Sequence, residues 1–223
     1  MENDLVMDSI MKNYRKTIWN NFTKGVREFN MISTGDKIAV CVSGGKDSMI
    51  LAKCIEKYQK ISGVPFSVKY ICMNPGYNFE NLEIILNNAN RLGLSLDIFN
   101  TKIFDSIERE KNNPCFLCSR LRRGALYKAA MERGCNKIAL GHHFNDVIET
   151  ILMGMIYGGQ VQTMMPKLHS DNYENMQLIR PMYYVHEDEI IKWTEENELK
   201  FIRCACKVTS NQNDYSQNIS KRQ

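Results

Sequence analysis

The run Ile38-Ala39-Val40-Cys41-Val42-Ser43-Gly44-Gly45-Lys46-Asp47-Ser48 constrains this chain more than any other stretch. A short apolar segment rich in β-branched residues meets a glycine pair. Apolar positions at helical spacing follow: Met49, Ile50, Leu51, Cys54 and Ile55. The pattern predicts a buried strand, a tight loop and a helix. Glycines let the backbone approach an anion closely. The first-turn N–H groups point at that anion, and the helix dipole favours negative charge there. Ser43, Ser48 and Lys46 add hydroxyl donors and a cation, so the loop from Ser43 through Gly44, Gly45, Lys46 and Asp47 to Ser48 is a candidate phosphate site. It is not a Walker A loop, which needs Gly six residues before the Lys and Ser or Thr directly after it. Those positions hold Val40 and Asp47. A carboxylate beside phosphates is repulsive unless a metal bridges them, so Asp47 implies Mg²⁺ on the phosphates, with Asp47 as its ligand.

The segment from Ser43 to Ser48, Ser-Gly-Gly-Lys-Asp-Ser, resembles the loop of the PP-loop ATPases, the ATP pyrophosphatase family. The resemblance implies that the nucleotide is ATP, split between its α and β phosphates. It implies activation of a carbonyl-type oxygen as an adenylate and release of pyrophosphate. GTPases and kinases, by contrast, act at the γ phosphate.

Composition narrows the class. A chain of 223 residues suits one domain, or one domain with appendages. Apolar residues make up 43% and charged residues 24%, as in soluble globular proteins. No apolar run approaches the roughly 18–20 residues that span a membrane. The N-terminus, Met-Glu-Asn-Asp-Leu, is acidic and lacks the apolar stretch of a secretory signal, so a cytoplasmic location is expected. The eight cysteines are therefore not read as a disulfide framework. Cys41, Cys54, Cys72 and Cys135 lie in or beside strand and helix patterns and read as reduced core residues. Net charge is only +4, but between Lys111 and Lys137 stand seven basic residues and one acidic one, while His186 to Glu198 is acidic. That asymmetry predicts one basic face able to hold phosphates.

In chain order, residues 1–30 read as a helical segment carrying Trp19 as a packing anchor, placed outside the sheet or covering the site. Residues 31–207 read as the nucleotide domain and 208–223 as a polar flexible tail. Further strands are expected at Phe66–Met73, Ser95–Asn100, Asn136–Leu140 and Gln177–Pro181, with Val161–Lys167 as a loop or short edge strand. Helices are expected at 79–92, from Pro114 through Ala130, and at Tyr184–Asn197. The alternation predicts an α/β fold: a parallel five-stranded, Rossmann-like sheet with helices on both faces. Ligands of such sheets sit at the carboxyl ends of the strands. Met73, Asn74 and Thr101 fall on that edge beside Ser43, and Met73 is taken as a nucleotide contact.

Two further motifs carry chemistry. Pro114-Cys115-Phe116-Leu117-Cys118-Ser119-Arg120 opens a helix, where thiol pKa values fall. The Cys-x-x-Cys reads equally as a dithiol redox pair, half a zinc site or part of an iron–sulfur cluster. Gly141-His142-His143-Phe144-Asn145-Asp146 follows the fourth strand, with Gly141 and His142 facing the nucleotide and Asp146 as a second carboxylate for Mg²⁺.

Taken together, Pro114-Cys115-x-x-Cys118-Ser-Arg-Leu-Arg-Arg, Gly141-His-His, Ile179-Arg180-Pro181-Met182 and the late Cys204 resemble the tRNA 2-thiocytidine synthetase family over roughly residues 20–207. The resemblance implies a 4Fe-4S cluster held by Cys115, Cys118 and Cys204, with Cys206 as the alternative third ligand because Cys204-Ala-Cys206 replaces a wider spacing. It also implies Asp-Asp where this chain has Asn145-Asp146. It further implies an ATP-dependent sulfurtransferase acting on an anticodon-loop cytidine of tRNA, fed by sulfide or a cysteine desulfurase. Arg122, one turn past Cys118, is the catalytic cation on this reading, and Arg120 and Arg123 are further cations for adenylate or RNA. A second subunit could help grip the RNA. Two other readings differ in their predictions. An adenylating ligase without sulfur transfer would not need Cys115. A redox-sensing RNA-binding protein would never release pyrophosphate.

Overall fold

The computed structural model describes residues 2–107 and 114–202, with side chains from Val6 onward. Its first strand, β1 (Lys37–Cys41), is buried on both faces, as its continuous apolar run requires. Ile38 and Val40 enter one core cluster, while Ala39 and Cys41 enter another on the opposite face. β1 pairs in parallel with β2 (Ser67–Asn74) on one side and with β4 (Lys137–Ala139) on the other. β3 (Leu96–Asn100) adds to β2, and β6 (Gln177–Ile179) adds to β4, both parallel.

The sheet has six strands in the order β3-β2-β1-β4-β6-β5, one more than expected. The extra strand, β5 (Lys167–His169), pairs antiparallel with β6 at the edge. It begins where the expected loop or edge strand was to end, and at three residues it is too short for its period to show in the sequence. The order reverses at β1: the chain runs outward through β2 and β3, then returns to place β4 on the other flank. The ends of β1 and β4 therefore make the switch point, where a crevice opens.

The expected N-terminal helix is interrupted. α1 (Glu2–Lys12) leads into a π-helical turn at Arg15–Trp19, and α2 (Asn20–Glu28) follows. These pack against α3 (Lys46–Ile61) outside the sheet: Trp19 stacks on Phe22 at 5.6 Å, and Phe22 meets Tyr58 edge-on. α4 (Phe79–Arg91) joins them on that face. Its N-cap Asn78 accepts from the Asn81 amide, as the Asn-x-x-Asn spacing allows. The opposite face carries the short α5 (Ile103–Ile107) and α6 (Pro114–Glu132). α7 (Phe144–Gly158) follows β4, and α8 (Glu187–Glu196) closes the described fold on the α3 side, with Trp193 fully buried. Cys204 and Cys206, and the expected tail, lie outside the described residues.

Candidate active site

The turn from β1 into α3 is built for an anion. Gly44 has φ +85°, which L side chains avoid, and a Cβ there would lie 2.5 Å from Ile85 Cγ1. Gly45 is the N-cap of α3 and offers no side-chain cap, so the first helical amides stay free of side-chain partners. Ser48 behaves differently from expectation. Its hydroxyl accepts from the Ser43 N–H at 3.1 Å and donates to the Gly45 carbonyl at 2.9 Å, so it braces the loop from within. At the neighbouring strand end, a Cβ on Gly141 would meet the Asp47 carbonyl group at 2.9 Å. The close approach of β4's end to the loop needs this glycine.

Asp47 sits in the first turn of α3. Its Oδ1 is buried and makes no hydrogen bond among the described residues, although Lys46 Nζ stands 3.2 Å away. Burial raises the carboxyl above its ordinary value, against the opposing pull of Lys46 and His143. An orphaned, partly desolvated carboxylate oxygen beside a phosphate loop fits a divalent cation. Asp146 closes a reciprocal cap on α7: its Oδ2 accepts from the His143 N–H at 2.8 Å, and its own amide donates to His143 Nδ1 at 3.4 Å. His143 is thus buried as a cap, with Nε2 3.7 Å from Asp47.

His142 turns the other way. Its Nδ1 accepts from Arg180 Nε at 3.3 Å. Burial, and then the Arg180 charge, push its pKa below the usual imidazole value, so the ring is neutral at pH 7. Arg180 itself is buried, also bonds the Met165 carbonyl, and is pushed down to about 10 by burial and then by Arg123.

One cavity of about 500 Å³ gathers the site. Its lining includes Ser43, Asp47 and Ser48 from the loop, Cys115, Cys118, Arg122 and Arg123 from α6, and Gly141, His142 and Asp146 from the β4–α7 turn. The two thiols are not disulfide-bonded; Cys115 is exposed and Cys118 half-buried. Arg122 Nε is buried without a hydrogen bond among the described residues, and its guanidinium lies 5.8 Å from the centre of the Phe104 ring. Gly44, Gly45 and Lys46 do not line this cavity, and neither does Met73, whose side chain packs against Ile103 and Ile107. Cys41, expected only as core, is buried yet touches the cavity, and burial pushes its thiol well up.

The family model for the PP-loop domain matches residues 14–223. The chain belongs to the PP-loop family. Within that family it is 38% identical over 201 residues to a tRNA-cytidine(32) 2-sulfurtransferase of Geobacter metallireducens, covering 88% of this chain and 77% of the relative. A Neisseria meningitidis protein of the same name is 40% identical over 185 residues. That match covers 80% of this chain but 57% of the relative, so the chain spans little more than half the Neisseria protein. The U34-tRNA thiolase NcsA of Methanococcus maripaludis, solved with its 4Fe-4S cluster, superposes with a TM-score of 0.67 at 25% identity, over 91% of this chain and 73% of its own.

One PP-loop neighbour escaped the sequence reading. Glu187, at the start of α8, accepts from Lys46 Nζ at 2.8 Å and stands 3.8 Å from His143 Nε2. Lys46 holds the Glu187 carboxyl below its usual range. Burial would lower Lys46, yet Glu187 and Asp47 together hold its ammonium above the ordinary lysine value. Asn145 Oδ1 accepts from the Glu187 N–H at 3.1 Å and so ties α7 to α8. Arg180 was visible only as part of a motif. The acid-rich first turn of α8 was read as a macrodipole effect, and nothing in the sequence singled out Glu187 from Asp188 or Glu189.

Proposed function

We propose that this chain is an ATP-dependent tRNA sulfurtransferase that replaces the C2 oxygen of an anticodon-loop cytidine with sulfur. The observation that carries the reading is the single cavity shared by the phosphate loop and the Cys115–Cys118 pair. Names of the relatives support tRNA as the substrate. The buried, unbonded Asp47 Oδ1 fits Mg²⁺, with Asp47 and Asp146 as its ligands. Two thiols on one cavity, neither in a disulfide, fit two ligands of a 4Fe-4S cluster, and Cys204 or Cys206 would be the third. When bound, such a cluster supplies an iron not ligated by protein, able to carry sulfide.

The chain's residues then divide the work. The α3 amides, Ser43 and Lys46 bind phosphates. Arg122, facing the same cavity from α6, offsets charge at the α phosphate. The base carbonyl oxygen attacks the α phosphorus as the bond to the β phosphate breaks and pyrophosphate leaves with the electron pair. Sulfide then forms the C2–S bond while the C2–O bond breaks and AMP leaves. No net oxidation occurs. Sulfide comes free or from a cysteine desulfurase, and the reaction belongs in the cytoplasm with tRNA. Arg120, Arg123 and Lys128 of α6 are exposed, Arg123 lines the cavity, and such cations suit the RNA backbone.

A homodimer completes the reading. α7 leaves the site carrying exposed Leu152, Met153, Met155, Ile156 and Tyr157, continued by Val161 and Met165. All seven are at least half exposed, the kind of apolar surface that a stable interface of roughly 800 Å² per partner would cover. Uncharged surfaces can pair with their own copy without like-charge repulsion.

Anaerobically reconstituted protein with ATP, Mg²⁺, sulfide and tRNA should yield thiolated base, AMP and pyrophosphate. Cys115→Ala and Cys118→Ala should abolish thiolation and lower bound iron. Absence of thiolation by cluster-loaded protein across several tRNAs would overturn the reading.

A further inference from the structure

The turn after β4 offers two histidines with opposite tasks. His143 is enclosed and caps α7, whereas His142 lines the cavity beside Asp146 and Arg123. An imidazole can donate from either nitrogen, and which one carries the proton is set by what the other accepts. Here the Nδ1 of His142 receives the Nε–H of Arg180 at 3.3 Å. A guanidinium has donors only, so Nδ1 must be the acceptor. The ring's proton therefore sits on Nε2, which has no hydrogen-bond partner among the described residues.

We infer that Arg180 is a positioning residue that fixes His142 as the Nε2–H tautomer, a hydrogen-bond donor to the oxygen of the adenylated base in the cavity. The inference rests on the sulfurtransferase reading for the identity of the acceptor, and on geometry for the tautomer. Arg180 is well placed to hold a fixed geometry. It is buried, its guanidinium is also tied to the Met165 carbonyl, and its backbone N–H donates to the Pro166 carbonyl at 2.9 Å. Both ends of the side chain are thus anchored in the segment between α7 and β6. The charged groups facing His142 are Arg180 after β6, Arg123 on α6 and Asp146 on α7, with His143 adjacent. Two of these are cations, and together with burial they keep the ring neutral. A neutral Nε2–H can donate to a departing phosphoester oxygen without adding a full charge that would compete with Arg122.

The test has two arms. In the first, ring ¹⁵N spectra of the nucleotide-free protein should show His142 at pH 7 as a neutral ring protonated on Nε2. Arg180→Met should shift it toward a mixture of tautomers, and Arg180→Lys, which keeps a donor, should restore most of the wild-type pattern. In the second, His142→Gln places an amide N–H near the Nε2 position and should keep thiolation within about fivefold of wild type. His142→Asn, whose amide reaches only the Nδ1 position, should lower kcat fiftyfold or more with KM for ATP changed less than twofold. An unchanged ¹⁵N pattern in Arg180→Met, with fold verified by circular dichroism, overturns the positioning role. Equal activity of His142→Gln and His142→Asn overturns the donor role. Failure of the wild-type protein to thiolate tRNA would reject the sulfurtransferase reading and leave the spectroscopic arm to decide the tautomer alone.

Discussion

Lys137 lies on a short buried strand, and burying its ammonium would be costly without a partner. Asp36 supplies one: Lys137 Nζ lies 2.7 Å from Asp36 Oδ2, with side chains 5% and 7% exposed. Lys137 also donates to the Met31 carbonyl at 2.9 Å, while Asp36 accepts from the Ser33 N–H and from Asn136 Nδ2. Burial raises the Asp36 carboxyl, but Lys137, Ser33 and Asn136 outweigh it and hold the pKa below the ordinary value. A depressed carboxyl stabilises the fold above its unfolded pKa of about 3.9, and that contribution is lost as pH falls through the folded value. Asp36→Asn leaves the ammonium buried and unpaired, and should lower stability by about 3 kcal/mol in urea unfolding at pH 7. The gap between wild type and variant should close as pH is taken below about 4. A gap constant from pH 7 to pH 3 would contradict the pair's role.

At the scale of elements, the site depends on how closely the end of β4 approaches the first turn of α3. Gly141 permits it: its missing Cβ would sit 2.9 Å from Asp47 backbone atoms, and backbone cannot swing aside as a side-chain tip can. Gly141→Ala should cost about 1–3 kcal/mol of stability by overpacking. It should also weaken binding of an ATP analogue with a methylene α–β bridge by at least tenfold in calorimetry, because the loop and the turn must part. Unchanged affinity would mean that the β4 turn and the phosphate loop are not one binding unit. The same junction explains which elements were readable beforehand. β1, the loop and α3 are contiguous, and period, glycines and caps are local signals, so their placement followed directly from residues 38–55. β5 and the π turn at Arg15–Trp19 were not readable. One is three residues held by pairing, and the other departs from a helical pattern without a glycine or proline to mark it.

For the whole molecule, the exposed apolar turns of α7 are the feature a single copy leaves unexplained. This helix has no Lys or Arg from Phe144 to Gly158, yet among the described residues only Val147 on it is buried. Leu152→Asp with Ile156→Asp should shift sedimentation from dimer to monomer at micromolar concentration, with the fold intact by circular dichroism. A wild-type monomer at that concentration would reject the dimer. No helix of the described residues is long and apolar enough to cross a membrane, so a bilayer-spanning role for α7 is not in question. By itself the sequence determined the phosphate loop, the parallel sheet and the thiol pair, because each is written in neighbouring residues whose periodicity and backbone freedom act locally. Only the tertiary structure decided that Arg180 faces His142, that Glu187 holds Lys46, and that Asn145 joins two helix starts. Those partners are 38, 141 and 42 residues apart in the chain, and they meet only because the strand order reverses at β1 and folds both halves onto one edge of the sheet.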